Sequence, residues 1–154
     1  KQVDVERNTG VAVTNTRKAR QVSEEEPVHT ALYIEDNPDN IRLMKTIFDH
    51  VEKTRLLTAY NAELGLDLAK RNKPDLILMD INLPGMNGID ALKKLQETKK
   101  TREIPVIAIT AAAMSKEVEA GMKAGFKDYI TKPINVVEII RTIEEILHNT
   151  KNPV

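Results

Sequence analysis

The chain has 154 residues, with 23 Lys plus Arg balanced by 23 Asp plus Glu and no cysteine or tryptophan. That length supports one ordinary domain with its own core and a modest remainder, while a formal net charge of zero argues against nucleic-acid binding by counterion release and against attraction to an anionic membrane. The lack of cysteine removes disulfides, thiolate metal sites and thiol nucleophiles, and with no signal-peptide stretch or run of ~18 apolar residues the expectation is a soluble, cytoplasmic domain without membrane contact.

Residues 1–27 are polar, carry single valines without a helical or strand period, and end in Glu24-Glu25-Glu26-Pro27. This segment reads as a linker or flexible tail, with Val11 to Thr16 as a candidate edge strand. From residue 28 to 149, short apolar runs alternate with helix-like segments. Strands are predicted at Ala31 to Glu35, Leu56 to Ala59, Asp75 to Asp80, Ile104 to Thr110 and Asp128 to Thr131. The third and fourth runs, Leu76-Ile77-Leu78-Met79 and Val106-Ile107-Ala108-Ile109, are apolar without alternation. Strands covered on both faces require that pattern, which points to a parallel sheet between helix layers.

The intervening helices have recognisable ends. Asn37-Pro38 places a cap residue before a proline at the first helical position, followed by Ile41, Met44, Phe48 and Val51 at helical spacing. Asn61, Asn87 and Ser115 are placed to cap the next three helices, and Gly125 suits the left-handed residue that ends the fourth. Asn135 with Glu138 forms a capping-box pattern for the last helix. Its apolar stripe is Val136, Ile139, Ile140, Ile143, Ile146 and Leu147, with Glu138, Arg141, Glu145 and His148 outside it. The order is βαβαβαβαβα: one α/β domain, a doubly wound five-stranded parallel sheet in a three-layer sandwich. Residues 150–154 read as a C-terminal tail.

Ligands of such sheets bind beyond the carboxyl ends of the strands, where strand order reverses. The first strand ends in Glu35-Asp36, the third in Asp80, the fourth in Thr110-Ala111 and the fifth in Tyr129 to Pro133. With the first, third and fourth strands adjacent, three carboxylates, a hydroxyl and the Lys132 ammonium meet at one edge. Each close carboxylate pair costs on the order of a few kcal/mol at an effective dielectric near 20. A hard divalent cation relieves that repulsion, and Mg2+ prefers one or two carboxylates plus waters and phosphate oxygens. A carboxylate there can attack phosphorus, with the metal and Lys132 neutralising the incoming oxygens and Thr110 hydrogen-bonding one of them. Taken singly, each residue has an ordinary explanation: Asp36 or Asp80 as a helix cap, Lys132 as a solvated lysine, Thr110 as a β-branched strand residue. Their joint placement at the ends of four strands favours chemistry.

These residues resemble the receiver domain of two-component response regulators, whose fold is flavodoxin-like, of the CheY-like (βα)5 type. The resemblance is carried by Leu32 to Asn37, Asp75 to Asp80, Leu83-Pro84-Gly85-Met86-Asn87-Gly88, Pro105 to Ala111 and Tyr129-Ile130-Thr131-Lys132-Pro133. It covers about residues 30 to 148, and the intervals Asp36 to Asp80, Asp80 to Thr110 and Thr110 to Lys132 are 44, 30 and 22 residues. The resemblance implies that Asp80 accepts a phosphoryl group from a phosphohistidine on a histidine kinase or histidine-phosphotransfer domain. It implies Mg2+, for which Mn2+ could substitute, held by Asp36, Asp80 and the backbone carbonyl of Asn82, with Glu35 acting through water. Lys132, Thr110 and the Ala111 backbone N–H would bind the phosphoryl group, Tyr129 would turn inward behind Thr110, and the Lys132-Pro133 bond would be cis. The face made by the fourth helix, fifth strand and fifth helix would then repack, and could pair two copies as a homodimer. Ala112 is small, as is common in the family. Such a protein phosphorylates and dephosphorylates itself with magnesium, without being an enzyme in the usual sense.

Lys1 is not a methionine, and the segment before the domain resembles an interdomain linker. The expected context is a fragment, the C-terminal receiver of a hybrid histidine kinase; the alternative is a stand-alone single-domain regulator. A haloacid-dehalogenase-like phosphohydrolase would need an acid-base aspartate two residues after a nucleophile on the first strand, where Pro38 stands. A dinucleotide-binding domain would need a glycine-rich turn where Glu35-Asp36-Asn37-Pro38-Asp39 stands. A receiver serving only as a binding module is disfavoured by the intact set Glu35, Asp36, Asp80, Thr110 and Lys132. His29, His50 and His148 show no metal-ligand spacing.

Overall fold

The computed structural model describes residues 27–111 and 116–151. Lys1 to Glu26 with the candidate strand Val11 to Thr16, Ala112, and the candidate cap Ser115 lie outside the described residues. Five strands and five helices alternate: β1 (His29–Ile34), α1 (Pro38–Phe48), β2 (Thr54–Ala59), α2 (Ala62–Asn72), β3 (Leu76–Asp80), α3 (Gly88–Glu97), β4 (Val106–Thr110), α4 (Lys116–Ala124), β5 (Asp128–Thr131) and α5 (Val136–Lys151). The strands form one parallel sheet in the order β2-β1-β3-β4-β5, so the order reverses between β1 and β3.

Strand side chains alternate between two faces, and the core divides accordingly. Ala31, Tyr33, Leu76, Leu78, Ile107, Ile109 and Ile130 pack with Met44, Ile47 and Phe48 of α1 and Ile139, Ile143 and Leu147 of α5. Leu32, Ile34, Ile77, Met79, Val106 and Ala108 pack on the other face, toward α2, α3 and α4. The non-alternating apolar runs of β3 and β4 are buried at every position, as a sheet covered on both faces requires.

Helix starts follow their caps. Asn37 Oδ1 accepts from the N–H of Asp39 at 2.8 Å and of Asn40 at 3.3 Å, while Asn61, Asn87 and Asn135 accept from Leu64, Asp90 and Glu138. Gly125 ends α4 with φ at 129°, and both its N–H and that of Phe126 reach the Gly121 carbonyl.

Several boundaries shift for local reasons. β4 begins at Val106 rather than Ile104, because Pro105 has no N–H and the Ile104 N–H closes a turn on Thr101. Asp75 stands just before β3, its carboxylate and N–H exchanging hydrogen bonds with the Thr30 backbone at 2.9 and 2.7 Å. β1 starts two residues early at His29 and ends at Ile34, although the Glu35 N–H still reaches the Ala59 carbonyl. β2 likewise starts at Thr54, two residues ahead of Leu56. Val51 is buried but lies past the end of α1. Val136 is exposed rather than part of the α5 stripe, standing at the first residue of that helix. α5 itself extends to Lys151.

Candidate functional site

β1 and β3 are neighbours, and the parity that buries Tyr33 and Leu78 toward α1 and α5 also aims Glu35 and Asp80 to that side. Carboxylate oxygens of Glu35, Asp36 and Asp80 lie within 4.8 Å of one another, with Asp36 exposed and the other two buried. From β5, the Lys132 ammonium reaches across the sheet edge to Asp80 Oδ2 at 3.1 Å and Glu35 Oε1 at 3.4 Å. The Lys132 backbone N–H donates to the Thr110 carbonyl at 2.8 Å, which ties the end of β4 to the same lysine. The Lys132-Pro133 bond is cis.

Each buried carboxylate is held by fixed donors. Glu35 Oε1 accepts from the Tyr33 hydroxyl and the Asn40 amide, both at 3.0 Å, and Glu35 Oε2 from the Asn37 N–H at 3.2 Å. Burial pushes the Glu35 carboxyl up, but the Asn37 N–H, the Lys132 charge and the Tyr33 and Asn40 donors together outweigh it and hold the group below the usual range. Asp80 Oδ1 accepts from the Asn82 N–H at 2.9 Å. For Asp80 burial prevails: with the neighbouring Glu35 charge it lifts the carboxyl above its ordinary value, against the pull of the Asn82 N–H and Lys132. Burial works against the Lys132 charge, yet its bond to Asp80 and attraction to both carboxylates leave it more firmly protonated than usual. Burial and the Glu35 charge push the Tyr33 hydroxyl far up, so it remains a donor.

The loop beyond Asp80 is pinned from below. Ile81 and Leu83 are buried on either side of exposed Asn82, and the Gly88 N–H donates to the Ile81 carbonyl at 2.9 Å. A Cβ at Gly88 would lie 2.8 Å from the Ile81 Cα and 3.0 Å from the Asp80 carbonyl oxygen, so the close approach of α3 to the loop requires glycine.

Among the expected site residues, Glu35, Asp36, Asp80 and Lys132 thus form one cluster. Thr110 is buried at the end of β4, with exposed Ala111 directly after it. Tyr129, in register with Ala108, is half-buried against the core on the α2, α3 and α4 side. Tyr33 and Asn40 are the participants that spacing alone did not single out. The available signal was parity: Tyr33 stands two residues before Glu35 on a strand, and Asn40 three residues after the cap of the helix that follows. Chemically, an open acidic cluster beside a held ammonium can take a hard cation and an anion together.

The family model of the response regulator receiver domain matches residues 31–144. The chain belongs to this receiver-domain family. The receiver is 39% identical over 118 residues to the polar-differentiation response regulator DivK of Brucella anthropi, covering 77% of this chain and 95% of that protein. DivK of Brucella ovis matches to the same extent, 39% over 118 residues, with 77% and 95% covered. Among solved structures, this receiver superposes with a TM-score of 0.72 at 28% identity on the receiver domain of a sensor histidine kinase from Pseudomonas aeruginosa, covering 78% of this chain and 98% of that one. That structure holds a magnesium ion coordinated in its active-site cleft. A Francisella response regulator receiver domain gives a TM-score of 0.72 at 27% identity, with 79% and 98% covered. Two-component signal transduction is therefore the function class of this receiver. Among the described residues no helix is long and apolar enough to cross a membrane.

Proposed function

We propose that this receiver, taken as residues 28–149, is a phosphoacceptor whose Asp80 takes a phosphoryl group from the phosphohistidine of a histidine kinase or histidine-phosphotransfer domain. A carboxylate oxygen of Asp80 attacks phosphorus, the P–N bond to the donor imidazole breaks, the imidazole leaves with the electron pair and takes up a proton, and an aspartyl phosphate remains. The observation that carries this reading is the Lys132 ammonium seated on Asp80 inside a cluster of three carboxylates.

The donor set fits a hard divalent cation: two buried carboxylates, an exposed third and an exposed loop at Asn82. Asp36, Asp80 and the Asn82 carbonyl would hold Mg2+, or Mn2+ in its place, with Glu35 acting through water. When bound, the ion offsets the negative charge of the carboxylates and of an incoming phosphoryl group. Lys132 neutralises one phosphoryl oxygen, Thr110 and the Ala111 N–H donate to others, and Asn82 keeps Asp80 aimed outward. Thr110 and Tyr129 lie on the α4 side of the sheet, so a shift of Thr110 toward the phosphoryl group opens space for Tyr129 to turn inward and repacks the face of α4, β5 and α5. Pairing of two copies through that face belongs to the same reading.

Within the same proposal the chain serves as the C-terminal receiver of a hybrid histidine kinase acting in the cytoplasm, a reading supported by its likeness to the receiver domain of a sensor histidine kinase. A second reading, a stand-alone regulator, is supported by the match to DivK over 95% of that protein's length. Both give Asp80 the same chemistry.

The test is intact mass after incubation with Mg2+ and acetyl phosphate, beside Asp80→Asn. One base-labile phosphoryl adduct that disappears in the variant is expected. An adduct that persists in Asp80→Asn, or wild-type protein that neither binds Mg2+ nor takes up a phosphoryl group, overturns the reading.

A further inference from the structure

Tyr33 lies wholly inside the core between the sheet and the α1 and α5 layer. Phenylalanine would fill nearly the same space, so packing alone does not call for the hydroxyl. A buried hydroxyl is costly unless it is bonded, and the bond it makes, 3.0 Å long, goes to Glu35 Oε1. Asn40 Nδ2 donates to that same oxygen at 3.0 Å and Lys132 at 3.4 Å, while the Asn37 N–H holds Oε2 at 3.2 Å. Both oxygens of Glu35 are thereby engaged by groups anchored on β1, α1 and β5. Such a carboxylate can orient a water but resists swinging outward to embrace an ion with both oxygens.

That restraint matters for ion choice. Mg2+ wants an octahedron at about 2.0–2.1 Å, usually keeping several waters and using one or two carboxylates. Ca2+ takes six to eight oxygens at about 2.3–2.6 Å and readily accepts a bidentate carboxylate. We infer that Tyr33, together with Asn40, is a positioning residue that restrains Glu35 in a water-mediated role and so makes the site select Mg2+ over Ca2+. The inference rests on the metal site proposed above and assigns it a selectivity device below the sheet edge.

The experiment is calorimetric titration of the full chain with MgCl2 and with CaCl2, for wild type, Tyr33→Phe, Asn40→Ala, Glu35→Ala and the Tyr33→Phe/Glu35→Ala pair. Urea unfolding without metal identifies any variant whose fold has suffered, and Asn40→Ala, on the helix surface, tests the same oxygen without touching the core. Tyr33→Phe is expected to weaken Mg2+ about 10-fold, as loss of an outer-shell hydrogen bond around a metal site does, and to change Ca2+ binding much less. The ratio of the Ca2+ Kd to the Mg2+ Kd then shrinks about 10-fold, Asn40→Ala moves it in the same direction, and in the Glu35→Ala background Tyr33→Phe moves it no further. An unchanged ratio in folded Tyr33→Phe and Asn40→Ala overturns the inference and leaves the metal site standing. So does a shift that persists without Glu35. Wild-type protein that binds neither cation overturns the metal site and this inference together.

Discussion

Replacing Lys132 with methionine keeps most of the side-chain stem and removes the charge that both buried carboxylates share. The Lys132 ammonium lies 3.1 Å from Asp80 Oδ2 and 3.4 Å from Glu35 Oε1, and its side chain is 27% exposed against 6% and 1% for its partners. At an effective dielectric near 20, each contact corresponds to about 5 kcal/mol of Coulomb attraction. Most of that is offset by desolvation of the lysine, while removing one partner of a buried pair typically costs about 3–5 kcal/mol. Discounting for the exposed part of Lys132, the expected loss is about 2–4 kcal/mol at pH 7 without metal. The sign of the pH dependence follows from Asp80, whose folded-state carboxyl already sits above its ordinary value. Without Lys132 it rises further, and a raised carboxyl costs stability above its unfolded value and stops costing as pH falls below it. The deficit of Lys132→Met is therefore largest near neutrality and shrinks in mild acid. Mg2+ at 10 times its Kd should return about 1.4 kcal/mol. Urea unfolding at pH 7 and at about pH 4.5, with and without Mg2+, measures all of this. A Lys132→Met midpoint equal to wild type at pH 7, or a deficit of equal size at both pH values, would show that the carboxylates do not depend on Lys132 for compensation.

Mg2+ affinity should itself fall on acidification and begin to fall above about pH 4, the range of an ordinary aspartate. Asp80 is held above its ordinary value in the metal-free protein and must lose its proton to bind, whereas Glu35 is held below its own; calorimetry from about pH 7 down to about pH 4 reads this, and affinity that is flat over that whole span contradicts it. Gly88→Ala should cost about 1–3 kcal/mol and weaken Mg2+, because its Cβ meets backbone at 2.8 and 3.0 Å and pushes the loop carrying Asn82 off Asp80. A stable variant with unchanged Mg2+ affinity would mean the loop yields freely. Asn37→Ala removes the cap of α1, which should lower the urea midpoint by the equivalent of about 1 kcal/mol. Since only the Asn37 backbone N–H touches Glu35, the Asp80 phosphoryl adduct should still form.

The strands are legible in the chain where a residue's fate depends on its near neighbours. The uninterrupted apolar runs of β3 and β4 could only be covered on both faces, and each asparagine at a helix start caps its own next turn. Acidic residues at the ends of β1 and β3 become a cluster once those strands are adjacent, so Glu35, Asp36 and Asp80 were legible as a group from spacing and topology. Asp128 to Thr131 matches β5 residue for residue.

Other features depend on distance in the chain being erased by packing. Lys132 touches both Asp80 and Glu35 because β5 ends at the same edge as β1 and β3, and no local rule gives the depth at which its ammonium settles. Tyr33 and Asn40 meet on one oxygen of Glu35 because strand parity and the first turn of α1 converge there. Val136 belongs to the apolar stripe by periodicity, yet stands exposed at the first residue of its helix. Amino-acid order by itself determined the alternation of elements, the buried central strands and the acidic edge, since these follow from periodicity and short-range hydrogen bonding. Only the tertiary structure decided which donors saturate which carboxylate and which apolar side chains reach the core, because burial and hydrogen-bond partners are properties of the assembled layers.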